Sequence, residues 1–167
     1  MDHLTYVLMQ NFVRRYLRGN RGLSICDIGS CDVNGTFRPL FRRHNYLGLD
    51  IIEGSNVDVV SKDPYRYPFN NEAFDVVISG STIEHVKDIF KWVVELKRIT
   101  KKGGLVCIIA PSVFHMQHQH PVDCWRIYPD GMRFLLGEVA GLQVLKARKS
   151  ESNRQTVMCI GVARKEP

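Results

Sequence analysis

Three acids and a glycine in the first third of the chain have the types and spacing to hold a nucleoside. Asp27-Ile28-Gly29-Ser30 closes an apolar run that begins at Leu23, with Asp32 just beyond it, and Asp50 closes the next run, Tyr46-Leu47-Gly48-Leu49. In an open parallel sheet a ligand lies outside the carboxyl ends of the strands, where strand order reverses. A glycine at the first turn lets the backbone approach the ligand. An acid at the end of the second strand can take both hydroxyls of a ribose. The pattern implies an adenosine-containing cofactor.

A second constellation follows a later apolar run, 105–110. It reads Pro111-Ser112 and then His118-Gln119-His120-Pro121-Val122-Asp123-Cys124-Trp125-Arg126. Histidine titrates near neutral pH and suits a general base, and a carboxylate can orient it or act itself. His118 and Asp123 are the first candidates. His85, after the run that ends Ser79-Gly80, is the next. Trp125 could stack on a sugar face, and Arg126 could pair with a phosphate or carboxylate. Plainer roles stand beside these: His85 bracing its loop, Trp125 as a packing anchor, and Arg126 in an ion pair with Glu84 or Asp123. His115, His118, His120 and Asp123 match no metal-site spacing, so no metal is expected.

The elements that must position these groups follow from periodicity and punctuation. Residues 4–18 carry apolar side chains near helical spacing, and Gly19-Asn20-Arg21-Gly22 ends that helix. Strands are predicted over 23–28, 46–50, 56–60, 73–79 and 105–110, with a short helix over 36–43 and a longer one over 89–100. Lys101-Lys102-Gly103-Gly104 reads as the cap of the longer helix, with cations near the negative end of its dipole. A helix over 129–140 leads to two strands, 142–148 and 156–163, close enough to form an antiparallel hairpin. Strands alternating with helices predict an α/β protein: a Rossmann-like, doubly wound, mostly parallel seven-stranded sheet in three layers, with an antiparallel C-terminal strand.

With these elements in order, the chain resembles the class I S-adenosylmethionine-dependent methyltransferases, in the small branch called type 11. Asp27-Ile28-Gly29-Ser30 stands at that family's first glycine motif and Asp50 at its ribose-binding acid. Phe74-Asp75-Val76-Val77 with Glu84-His85-Val86, and Lys102-Gly103-Gly104-Leu105, match further elements. The resemblance implies S-adenosylmethionine as cofactor, with Asp27, Gly29, Ser30, Asp32, Asp50 and Ile51 around it. It places Asp63 near the adenine amino group and Ser79 and Gly80 beside the sulfonium. Asp63-Pro64 also reads as a plain turn. The chain departs from the family where Cys31 and Asp32 replace a second glycine, the next being Gly35. NAD would prefer three glycines and a pyrophosphate, which Asp32 would repel. S-adenosylmethionine carries a sulfonium and an ammonium and no phosphate, so the acids favour it. The His-x-x-Pro-x-Asp-x-Trp-Arg pattern resembles a subgroup common in glycan biosynthesis, which implies a sugar or other hydroxylated acceptor.

Composition narrows the alternatives. The 167 residues predict one domain, 1–167, and the net charge of +6 comes from 23 Lys and Arg against 17 Asp and Glu. Arginines cluster at 14, 15, 18, 21, 38, 42 and 43, which raises an RNA methyltransferase as an alternative. Against it, Ser79-Gly80-Ser81-Thr82 is not an Asn-Pro-Pro-Tyr-like turn, and no array of aromatics marks a stacking platform. Nucleic acid is therefore not the expected partner. A non-catalytic cofactor-binding module of a larger assembly is a further alternative. So is a homodimer or fusion partner that covers the acceptor side. Cys26, Cys107 and Cys159 lie in apolar runs and read as reduced core residues. No run approaches transmembrane length, and the start lacks a signal pattern, so the expectation is a cytoplasmic protein.

Overall fold

The computed structural model describes residues 3–113, 115–117, 122–152 and 156–167. Its strands are β1 Ser24–Ile28, β2 Asn45–Asp50, β3 Val59–Val60, β4 Phe74–Gly80, β5 Thr100–Pro111, β6 Gln143–Ser152 and β7 Thr156–Arg164. They form one seven-stranded sheet in the order β3-β2-β1-β4-β5-β7-β6. β1 to β5 are parallel, and β7 runs antiparallel between β5 and β6. The runs Val76-Val77-Ile78 and Val106-Cys107-Ile108-Ile109 are buried, as central strands covered on both faces require.

Alternation along each strand divides the core in two. Ile25, Ile78, Cys107 and Ile109 face helix α1, His3–Tyr16, which supplies Leu8, Met9 and Phe12. Cys26, Val77, Val106 and Ile108 face helix α2, Ile89–Ile99, which supplies Trp92, Val93, Leu96 and Ile99. Helix α3, Pro129–Arg133, adds Met132 to the second layer and continues as a π-helical segment, Phe134–Val139. The expected three-layer α/β architecture is present. The switch in strand order falls between β1 and β4, so the ends of these strands, at Ile28 and Gly80, lie side by side.

Several local expectations are corrected. Only Arg38–Phe41 of the predicted helix 36–43 is helical, as a 3-10 turn with Pro39 in its first positions. The third strand shrinks to Val59–Val60: Asn56 turns the chain at φ +69°, and Asp58 meets Gly48 with its N–H on Gly48 O at 2.8 Å and its carboxylate accepting Gly48 N–H at 2.7 Å. The Gly103-Gly104 pair does not cap α2. The chain enters β5 directly at Thr100, whose hydroxyl donates to Leu96 O at 2.7 Å. Further capping comes from 65 residues away, where the Lys165 ammonium donates to Lys97 O and Thr100 O at 3.2 and 2.8 Å. The predicted helix 129–140 changes pitch midway, and Ala140 N–H reaches back to Leu135 O.

Candidate functional site

The turn after β1 is built so that only glycine fits at its apex. Gly29 has φ +78°, and a Cβ there would come within 2.1 Å of Thr82 Oγ1. Gly29 and Ser30 N–H both donate to Leu49 O, at 2.9 and 3.1 Å, which binds the turn to β2. The Ser79 and Thr82 hydroxyls donate to Ile28 O at 2.8 and 3.2 Å, which binds it to β4. Ser79 is buried, so it offers the site its backbone and not its hydroxyl. Ser30 is buried too, its hydroxyl donating to Asn56 O at 3.2 Å.

Asp50 holds the next turn. Its Oδ2 accepts Cys31 N–H at 2.9 Å and its Oδ1 accepts Ile51 N–H at 2.7 Å. Oδ1 also accepts Ile52 N–H at 3.4 Å, so Oδ2 is the oxygen that keeps a further lone pair for a ribose hydroxyl. Asp32 Oδ1 accepts Gly35 N–H at 2.6 Å. Beside these acids, Ile51 and Ile52 are 48% and 51% exposed, and Val33 is 64% exposed. Exposed apolar side chains at the mouth of a turn suit an adenine face. Asp63 lies after β3 with its Oδ1 accepting Tyr65 N–H at 2.8 Å, which is the turn role weighed for it above.

Beneath the glycine turn lies a buried network that sequence reasoning missed. Asp27 is buried, its Oδ2 accepts the Tyr46 hydroxyl, and its Oδ1 has no partner among the described residues. Asn56 Nδ2 donates to Ser30 O at 2.8 Å and to the Tyr46 oxygen at 3.2 Å. Arg38 Nε donates to Asn56 Oδ1 at 2.7 Å, and its guanidinium lies 4.5 Å from the Tyr46 ring centroid. Burial pushes the Asp27 carboxyl up to about 7 against the lowering hydrogen bond from Tyr46. Phe37 is buried over Gly80, where a Cβ would meet its ring at 2.6 Å. The only hint of Phe37 in the sequence was the missing side chain at Gly80.

The acceptor side stands beyond β4 and β5. His85 ends the 3-10 turn Ile83–His85, and its Nδ1 meets Val122 O at 2.5 Å. A carbonyl can only accept, so Nδ1 carries the proton and Nε2 is the basic nitrogen of the neutral ring. Glu84 Oε1 lies 3.9 Å from that Nε2. Trp125 Nε1 donates to Val86 O at 2.8 Å while its ring packs on the α2 layer, so it does anchor the segment. Arg126 grips both Asp123 oxygens, and also donates to His115 O at 3.3 Å and Met116 O at 3.2 Å. Cys124 N–H donates to Glu84 O at 2.7 Å. Ser112 is fully buried, and its hydroxyl has no partner among the described residues. His118 lies outside the described residues, as does His120.

The strand order β3-β2-β1-β4-β5-β7-β6 with β7 antiparallel, a glycine turn after β1 and an acid at the end of β2 make up a Rossmann-like, nucleoside-binding architecture. Residues 26–108, about half of the chain, match the type 11 family described as a methyltransferase domain. Over these residues the chain therefore carries a methyltransferase domain of that family. An uncharacterised methyltransferase of Schizosaccharomyces pombe is 34% identical over 61 residues, which cover 34% of this chain and 22% of that protein. The chloroplastic 2-methyl-6-phytyl-1,4-hydroquinone methyltransferase 1 of Oryza sativa is 27% identical over 111 residues, covering 61% and 29%. The chain thus spans less than a third of the length of either relative. Among solved structures, the 1,6-didemethyltoxoflavin-N1-methyltransferase of Burkholderia thailandensis, with bound S-adenosylhomocysteine, superimposes with TM-score 0.76 at 13% identity. The overlap covers 99% of this chain and 80% of that one.

The residues fit S-adenosylmethionine. An unpartnered carboxylate oxygen on Asp27 suits a cation, and the acids at Asp32 and Asp50 add negative potential where a pyrophosphate would be repelled. Among the described residues no helix is long and apolar enough to cross a membrane.

Proposed function

We propose that the chain as a whole transfers a methyl group from S-adenosylmethionine to an oxygen of a small hydroxylated acceptor, a sugar or glycan hydroxyl foremost. The setting of His85 carries this reading: it stands in the turn after β4, with Nδ1 held by Val122 O and Nε2 3.9 Å from Glu84 Oε1. In the same reading Asp50 takes the ribose hydroxyls, Ile51 lies along the adenine, and Asp63 stands near its amino group. The backbone at Gly29 and Gly80 lines the path to the sulfonium, and Asp27 and Asp32 face the positive end. Bound there, the cofactor supplies a methyl carbon made electrophilic by the adjacent sulfonium. His85 Nε2 accepts the hydroxyl proton as the oxygen–carbon bond forms and the carbon–sulfur bond breaks. Glu84 steadies the resulting imidazolium. Asp123 and Arg126 act as a clasp on the acceptor segment, and Trp125 as its anchor. The sugar preference rests on the likeness of segment 118–126 to the glycan-associated subgroup.

The first test is calorimetric titration with S-adenosylmethionine and S-adenosylhomocysteine, with NAD as the control. Transfer of labelled methyl to a panel of sugars and other hydroxylated compounds follows. His85→Ala should lower kcat by about a hundredfold, the scale of a lost general base, with cofactor affinity unchanged. Loss of kcat in His118→Ala but not in His85→Ala would move the base to His118. Methyl found only on carbon or nitrogen would overturn the oxygen-acceptor reading.

A further inference from the structure

At the opposite end of the sheet from the glycine turn lies a groove of 580 Å³ between the end of α1 and the segment that leads into β2. Arg14 and Arg18 form one wall and Arg42 and Arg43 the other, with Leu17 and Leu40 among the apolar side chains between them. All four arginines are exposed, and none has an ion-pair partner among the described residues. The charge is not balanced locally. Residues 3–49 hold seven arginines and two acids, and of those acids Asp27 is buried and Asp32 lies at the other end of β1. The length of that five-residue strand, about 17 Å, separates the groove from the methyl-transfer end.

Cations near the C-terminus of α1 complement its dipole, which accounts for Arg14. That cannot account for Arg42 and Arg43 on the facing wall. Like charges brought together around a concavity repel one another, and an anion between them relieves the repulsion. Guanidinium groups bind phosphate through paired hydrogen bonds, with a geometry that lysine lacks. The volume falls within the range of about 300–1,000 Å³ usual for small-molecule sites. His44 is the one aromatic ring that lines the groove, and no Phe, Tyr or Trp does, so there is no platform on which successive bases could stack. The aliphatic floor suits an aliphatic body.

We propose that this groove is a second binding site, for a small amphiphilic phosphate with a diphosphate-like head between the arginine walls and an aliphatic body on the Leu17–Leu40 floor. It is independent of the methyl-transfer reading, because no residue is shared.

The test is calorimetry on the full chain with two probes, inorganic pyrophosphate and geranyl diphosphate. Geranyl diphosphate should saturate one site and bind about tenfold tighter than pyrophosphate, the difference coming from the apolar floor. The pair Arg14→Gln and Arg42→Gln, both exposed, should weaken each probe by about thirtyfold with Tm unchanged. Asp50→Ala should leave both affinities as they are, so failure of the cofactor site and failure of the groove read separately. No saturable binding of either probe overturns the proposal, as does equal binding by parent and double variant. Tight, steeply salt-dependent binding of single-stranded RNA without the geranyl preference would also overturn it, and would make the surface a nucleic-acid contact.

Discussion

The cofactor half and the acceptor half of the methyltransferase edge are held together differently. Around Gly29 the fastening is made by strand ends: Leu49 O takes two N–H groups, and Ile28 O takes two hydroxyls from the end of β4. Around Trp125 it is made by side chains that reach across loops: His85 to Val122, Trp125 to Val86, and Arg126 to Asp123, His115 and Met116. The first half is drawn together at its backbone, and its acids also serve the turns: Asp50 and Asp32 accept backbone N–H groups and Asp27 accepts the Tyr46 hydroxyl. The second half spends most of its polar side chains on holding its own shape. Trp125 and Arg126 there have their polar atoms committed to holding the fold.

The largest effect that would sharpen this contrast is electrostatic. Asp27 has a folded pKa of about 7, well above an ordinary aspartate, so the native state holds its proton more tightly than the unfolded chain. Its contribution to stability is fully present below about pH 4 and is lost as pH rises through about 7, by up to about 4 kcal/mol. Denaturant melts from pH 4 to 8 should show this fall in the parent and not in Asp27→Asn. A cationic cofactor favours the carboxylate, so binding near pH 6 should release a proton, seen as a buffer-dependent heat. Next comes Asp50→Ala, which removes the acid proposed for the ribose and leaves the Cys31 and Ile51 N–H groups without their acceptor. Affinity for S-adenosylhomocysteine should fall by about 3 kcal/mol or more. The smallest effect belongs to the acceptor half. Trp125→Phe removes one hydrogen bond to Val86 O, which should cost about 1 kcal/mol of stability, read as a shift in the denaturant midpoint. It should raise KM for the acceptor more than it changes cofactor affinity. If Trp125→Phe weakened cofactor binding as much as Asp50→Ala does, the two halves would not be separate fastenings.

The strands of the sheet were legible because strands buried on both faces leave apolar runs, and Asp27, Gly29 and Asp50 stand where those runs end. The Asp27–Tyr46–Asn56–Arg38 network was not legible, because it joins residues from four segments through side chains. Asn56 was read as part of a strand, yet it sits at φ +69° and uses its amide to join two turns. The α2 cap was misread for the same kind of reason. Gly103-Gly104 gave a local signal, whereas Thr100 and the distant Lys165 share the capping. Trp125 and Arg126 have the composition of a binding surface, and nothing local tells a committed indole or guanidinium from a free one.

The position of β7 also constrains how the molecule is assembled. It is the last strand in sequence, yet it lies between β5 and β6 and is in register with β5 from Leu105 to Pro111. Until residues 156–164 arrive, the apolar run Leu105–Ala110 has an open edge and β6 has no neighbour. An edge of that kind invites pairing with another chain. During synthesis this half of the sheet therefore closes only once β7 has emerged, and until then the nascent protein presents an edge prone to aggregate.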